Sequence, residues 1–130
     1  MKIGEVARET GLSVKTIRYY HDIGLVAAPR GDNGYRSYGQ VQLAQLQFVA
    51  RCKDLGFSLE QCATLLALNG NERRTAAEVK AMAWKQLDQV RDKLDRLRSL
   101  EKRLSGLVGG CSGGNGSQCS ILDSLNGGAC

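Results

Sequence analysis

From about Thr75 to Val108, apolar side chains return at spacings of three and four: Val79, Ala83, Leu87, Val90, Leu94, Leu97, Leu104 and Val108. Only Glu101 interrupts the series, and Leu100 stands beside it. That period belongs to one stripe of an α-helix. About 33 residues at ~1.5 Å each make a rod of roughly 50 Å. So long a stripe cannot be covered by the rest of a small domain. The pattern therefore predicts a coiled-coil dimer, its seam running through Leu87, Val90, Leu94, Leu97 and Leu104. Wrapping back onto the chain's own first half is the alternative. Charged side chains fill the other faces at helical neighbour spacings, as at Arg91 and Asp95.

Ahead of this rod, glycines punctuate a series of shorter helices. The first is predicted over 3–10, ending at Gly11; the second is capped by Ser13, runs through Ile23 and closes at Gly24. Such a pair, joined by a tight turn, is a helix-turn-helix candidate. Asn33-Gly34 is a turn dipeptide, and with Tyr35, Arg36 and Tyr38 on its exit arm it predicts a small hairpin, or wing. Ser37-x-x-Gln40 reads as a capping box opening a third helix to about Leu55, and Ser58-x-x-Gln61 opens a fourth ending near Gly70. Leu43, Leu46, Val49, Ala50, Leu59, Cys62, Leu65 and Leu66 follow helical spacing and are assigned to the core.

The composition agrees with a mainly helical chain: one proline, aromatics at 5%, and no long alternating runs. No stretch approaches the ~18 continuous apolar residues of a membrane span. The start of the chain lacks the apolar core of a signal peptide, so a cytoplasmic location is expected. A net charge of +5 is a mild bias toward an anionic partner. Five cysteines, an odd number, do not suggest a disulfide scaffold. Nothing resembles a catalytic acid pair, a nucleophile with its base or a phosphate loop, and no enzyme is expected.

The second helix begins Ser13-Val-Lys-Thr-Ile-Arg-Tyr-Tyr, with two cations and no acid. Lys15 and Arg18 can meet phosphates or base edges, and Thr16, Tyr19 and Tyr20 can donate hydroxyls to phosphate oxygens. Adjacent tyrosines on a helix point about 100° apart, so one of Tyr19 and Tyr20 is expected in the core. Tyr35 and Arg36 are placed to contact a neighbouring groove. His21, the only histidine, is expected at the surface or near DNA.

The segment from Gly109 to Cys130 differs in character, and on composition alone it could be a linker. Within it, Ser120 to Leu125 offers a cap, an acid and three apolar residues, enough for one amphipathic turn. Cys111 and Cys119 flank a glycine-rich loop that can bring two thiolates across one ion. Two soft ligands without imidazole suit ions content with linear coordination: Cu(I), Ag(I), Au(I), and Hg(II) at the margin. Zn(II) usually takes four ligands. A helix beginning at Ser120 would favour the Cys119 thiolate through its dipole. Reduced thiols in a loose tail are the plain alternative. Cys130 is a possible accessory thiol, while Cys52 and Cys62 are read as packing residues.

Ile3-Gly4-Glu5-Val6-Ala7, Thr16-Ile17-Arg18-Tyr19-Tyr20, Gly24-Leu25, Asn33-Gly34-Tyr35-Arg36-Ser37-Tyr38 and Asp54-Leu55-Gly56-Phe57-Ser58-Leu59-Glu60 together resemble the MerR family signature, in order and across essentially the whole chain. The resemblance implies a mainly α fold: a winged helix-turn-helix DNA-binding domain with connecting helices over 1–70, a long antiparallel dimerisation helix over 75–108, and a metal-binding loop and tail over 109–130. It further implies a homodimer on a two-fold promoter element with an over-long spacer, which the effector-bound form distorts for RNA polymerase. The cysteine spacing and the Thr75-Ala76-Ala77-Glu78-Val79-Lys80 segment are similar to the copper-efflux branch of that family, implying Cu(I), Ag(I) or Au(I) as effector. Members of that branch carry Ser where this chain has Ala76, and divalent-metal relatives carry Cys. Ala76 offers no ligand, which argues against a three-thiolate site. The expected function is metal-responsive activation of efflux or resistance genes. The alternatives are a sensor of a divalent metal or thiol-reactive ligand and, from another class, a thiol oxidoreductase or metal carrier. An iron-sulfur redox sensor has too few closely spaced cysteines.

Overall fold

A computed structural model describes residues 1–29, 37–110, 113–114 and 116–127. It contains α1 (Ile3–Thr10), α2 (Val14–Asp22), α3 (Gln40–Asp54), α4 (Leu59–Asn69), α5 (Ala76–Gly110) and α6 (Ser120–Leu125). Among the described residues there is no strand. The predicted wing turn at Asn33-Gly34, together with Tyr35 and Arg36, lies outside the described residues, as do Cys111 and Cys130.

The chain divides into two compact units, residues 1–83 and 84–130. In the first, α1 packs on α2 and α3, and α3 packs on α4. Val6, Ile17, Leu46, Val49 and Cys62 are fully enclosed, with Tyr20, Val26, Tyr38, Leu43, Cys52, Phe57 and Leu65 around them. Ala50, Leu59 and Leu66 are half-buried at the edge of this core. Val79 and Met82, in the first turns of α5, pack against it as well.

Local chemistry explains most boundaries. Gly11 ends α1 with φ 75°, a left-handed conformation that an L side chain rarely adopts. Ser13 caps α2 by accepting from the Thr16 amide at 3.0 Å. Ser58 and Gln61 form the expected reciprocal box on α4: the Gln61 amide donates to Ser58 Oγ at 3.2 Å, and the Ser58 amide donates to Gln61 Oε1 at 2.9 Å. After α4, one guanidinium nitrogen of Arg74 donates to the carbonyls of Leu68, Asn69 and Asn71, each at 3.1 Å. Leu68 and Asn69 are the last two residues of the helix, where carbonyls have no amide partner four residues on within it.

Two expected caps sit in a different register. The cap of α3 is Gly39, not Ser37: the Gly39 amide donates to Gln42 Oε1 at 3.0 Å. Ser37 instead accepts from the terminal amine of Met1 at 3.4 Å, so its hydroxyl serves a contact with the start of the chain. Likewise Cys119, not Ser120, is the N-cap of α6, and the Asp123 amide donates to its carbonyl at 3.0 Å.

In the second unit, α5 extends two residues beyond the predicted Val108. From Leu87 onward its apolar stripe, including Val90, Leu94, Leu97, Leu100, Leu104 and Val108, is exposed in the single chain. The Arg91 guanidinium lies 5.8 Å from the Trp84 ring centroid, a cation-π distance. No helix among the described residues is long and apolar enough to cross a membrane.

Candidate nucleic-acid interface and cysteine loop

The two faces of α2 separate by helical spacing. Ile17 and Tyr20, three residues apart, turn inward and are buried. Lys15, Arg18 and Tyr19 share the outer face and are exposed. Thr16 is half-buried, with its hydroxyl accepting from Ser13 Oγ at 2.8 Å. The outer face thus offers a compact ammonium, a planar guanidinium fork and a phenol, the groups that meet phosphates and base edges.

Two assignments on this helix change. Tyr20 is only 4% exposed against 49% for Tyr19, so Tyr20 is a core residue and only Tyr19 presents its ring outward. The cause is register: Tyr20 falls on the Ile17 stripe that faces α1 and the core. Burial, with a smaller contribution from the nearby Cys62, pushes the Tyr20 phenol above its ordinary value. His21 is not a free surface residue either. Its Nδ1 lies 2.8 Å from the Val26 carbonyl and its Nε2 2.8 Å from the Tyr38 hydroxyl, both partly buried. The Tyr38 partner could not be read from local sequence, since it lies 17 residues away.

Cys52 and Cys62 are core residues, as expected. The Cys62 thiol donates to the Phe57 carbonyl at 3.9 Å, and burial raises both thiols above their ordinary value. A thiol held protonated in an apolar core is a poor ligand and a poor nucleophile.

Cys119 is half-buried at the start of α6. Its expected partner Cys111 lies outside the described residues, but the chain flanking the loop closes on itself. A Cβ built on Gly110 would lie 3.5 Å from Ser120 Oγ. Gly110 directly precedes Cys111 and Ser120 directly follows Cys119, so the loop's two ends meet. Positive φ at Gly113 (69°) lies within this turn. Between Gly109 and Cys130 there is no histidine, and Asp123 is the only acidic side chain. Apart from the Asp123 carboxylate, the side chains of this segment able to ligate a soft ion are the cysteine thiols. Ala76 begins α5 and supplies no donor atom.

Two short helices around a glycine turn, with a basic outer face on the second, form a helix-turn-helix, and a long apolar-striped helix follows later in the chain. Residues 1–68 match the family described as MerR HTH family regulatory protein, and residues 43–107 match that described as MerR, DNA binding. The chain belongs to the MerR family of DNA-binding transcription regulators, which are not enzymes. It is similar to the HTH-type transcriptional regulator HmrR of Rhizobium leguminosarum bv. viciae, with 43% identity covering 99% of this chain and 100% of that one. It is also similar to the HTH-type transcriptional regulator CueR of Vibrio cholerae, with 37% identity covering 100% of this chain and 94% of that one. Among solved structures it is similar to the transcription regulator PbrR691 from Ralstonia metallidurans CH34 in complex with lead(II). There the TM-score is 0.80 at 35% identity, covering 96% of this chain and 98% of that one.

Proposed function

We propose that this chain is a metal-responsive regulator that binds promoter DNA as a homodimer and activates metal efflux or resistance genes on binding Cu(I), or Ag(I) or Au(I), through the thiolates of Cys111 and Cys119. The observation that carries the reading is the closure of the loop between Gly110 and Ser120, which supports a two-thiolate grip on one ion. A bis-thiolate pair is complete for an ion that accepts linear coordination, whereas a divalent ion asks for further donors. Ala76 does not provide one.

Lys15, Arg18 and Tyr19 are the side chains proposed to read DNA from α2, with Thr16 set to donate to the backbone and Tyr35 and Arg36 acting from the wing. Residues 1–70 form the DNA-binding part, 75–108 the dimerisation helix and 109–130 the sensing loop and tail. Leu87, Val90, Leu94, Leu97 and Leu104 form the antiparallel seam. Their exposure in the single chain supports a covering partner copy. The bound ion would favour one arrangement of the dimer over another by differential affinity, so that RNA polymerase can use the promoter. The protein acts in the cytoplasm.

Anaerobic Cu(I) titration against a competing chelator, beside the Cys111→Ser, Cys119→Ser double variant, tests this directly. One ion per subunit, lost in the variant, is the expected outcome. Binding that survives the variant, or X-ray absorption showing three or more protein ligands, overturns the linear site. The second of these favours a divalent ion such as the lead(II) in the PbrR691 structure.

A further inference from the structure

One imidazole joins three parts of the DNA-binding unit. The Val26 carbonyl can only accept a hydrogen bond, so His21 Nδ1 carries the proton, and in the neutral ring Nε2 accepts from the Tyr38 hydroxyl. The two rings also lie against each other, with centroids 5.7 Å apart. Tyr38 is buried, and its backbone exchanges two bonds with the start of the chain. Its amide donates to the Met1 carbonyl at 2.7 Å, and its carbonyl accepts from the Met1 amine at 3.1 Å. His21 sits in the last turn of α2. It therefore ties that helix to the chain leaving it, at Val26, and to the chain arriving at α3, at Tyr38, which is itself pinned to the entry of α1.

We propose that His21 is a positioning residue for operator binding. It fixes the backbone on both flanks of residues 30–36 relative to the Lys15, Arg18 and Tyr19 face, without touching DNA. The proposal rests on α2 being the DNA-reading helix. Its physical content is preorganisation: the ordering cost of holding the chain at Val26 and Tyr38 beside α2 is met on folding instead of on binding. Specific recognition needs that geometry. Non-specific attraction to phosphate, which depends mainly on charge, does not.

The test uses the full chain and a duplex selected from a random library by the unaltered protein, with an unrelated duplex alongside. His21→Ala and Tyr38→Phe are each expected to weaken the selected duplex about tenfold, the scale of one net hydrogen bond. The unrelated duplex should be bound as before. The His21→Ala, Tyr38→Phe double variant should lose no more than His21→Ala alone, because that change already removes the bond that Tyr38→Phe breaks. His21→Gln, whose amide reaches where Nε2 was, should restore most of the affinity. If His21→Ala lowers only the melting temperature and the folded variant binds the selected duplex normally, the residue is merely structural and the proposal falls. Additive losses in the double variant also overturn it. Arg18→Ala separates the two levels: if it weakens neither duplex, the assignment of α2 fails and the proposal with it. If Arg18→Ala weakens the selected duplex while His21→Ala does not, only the His21 proposal fails.

Discussion

Leu97→Ala should loosen the dimer, by an amount that follows from exposure. In the single chain Leu97 is 61% exposed. Burying a leucine fully contributes about 1.5–3 kcal/mol, so covering the remaining surface contributes about 1–2 kcal/mol per side chain. Two-fold pairing counts each position twice. Truncation at Leu97 therefore weakens association by about 2–4 kcal/mol, a roughly 30- to 1,000-fold rise in the dissociation constant. Sedimentation velocity over a dilution series reads this directly. Val41→Ala is the matched control: Val41 is 66% exposed, but on α3 and off the stripe. Unchanged self-association in Leu97→Ala, or an equal loss in Val41→Ala, would refute the assignment of the stripe as the dimer seam.

Three further outcomes are expected. Ser58→Ala removes the acceptor of the Gln61 amide and should cost about 1 kcal/mol of stability in denaturant unfolding, more than Thr64→Ala at an exposed position within the same helix. Lys15→Ala should weaken binding to every duplex and reduce the slope of log K against log salt by about 1, whereas an unchanged slope would remove Lys15 from the phosphate contacts. Cys52 and Cys62 are held protonated by the fold, so the unfolded chain releases their protons first as pH rises. Stability from these groups is then constant below the ordinary thiol value of 9.0 and falls as pH climbs above it toward their folded values. Cys62→Ala should flatten that alkaline decline in melting curves, and an identical decline would place its cause elsewhere.

The extent of the helices was written in local chemistry. Gly11, Ser13 and the Ser58–Gln61 box act within four residues of themselves, so each boundary they set follows from sequence alone. The α5 stripe was legible for the same reason, because a helix repeats its face every three or four residues whatever surrounds it. Local pattern was less decisive where two candidates competed. Ser37 has the form of a cap, yet its hydroxyl faces the Met1 amine while Gln42 serves Gly39. Cys119 takes the cap of α6 because the helix begins at Ser120.

Tertiary structure decided what depends on residues distant in sequence. Adjacent tyrosines are equivalent to a pattern reading; only the packing of Ile17 and its neighbours makes Tyr20 core and leaves Tyr19 outside. His21 reads as a lone polar residue until folding brings Tyr38, 17 positions away, to 2.8 Å from its ring. The meeting of Gly110 with Ser120 likewise depends on the path of the glycine-rich loop, whose backbone freedom leaves its closure unspecified by composition. Periodicity and capping are properties of a segment, and the sequence states them directly. A contact between separated segments exists only when the whole chain has folded to place both partners.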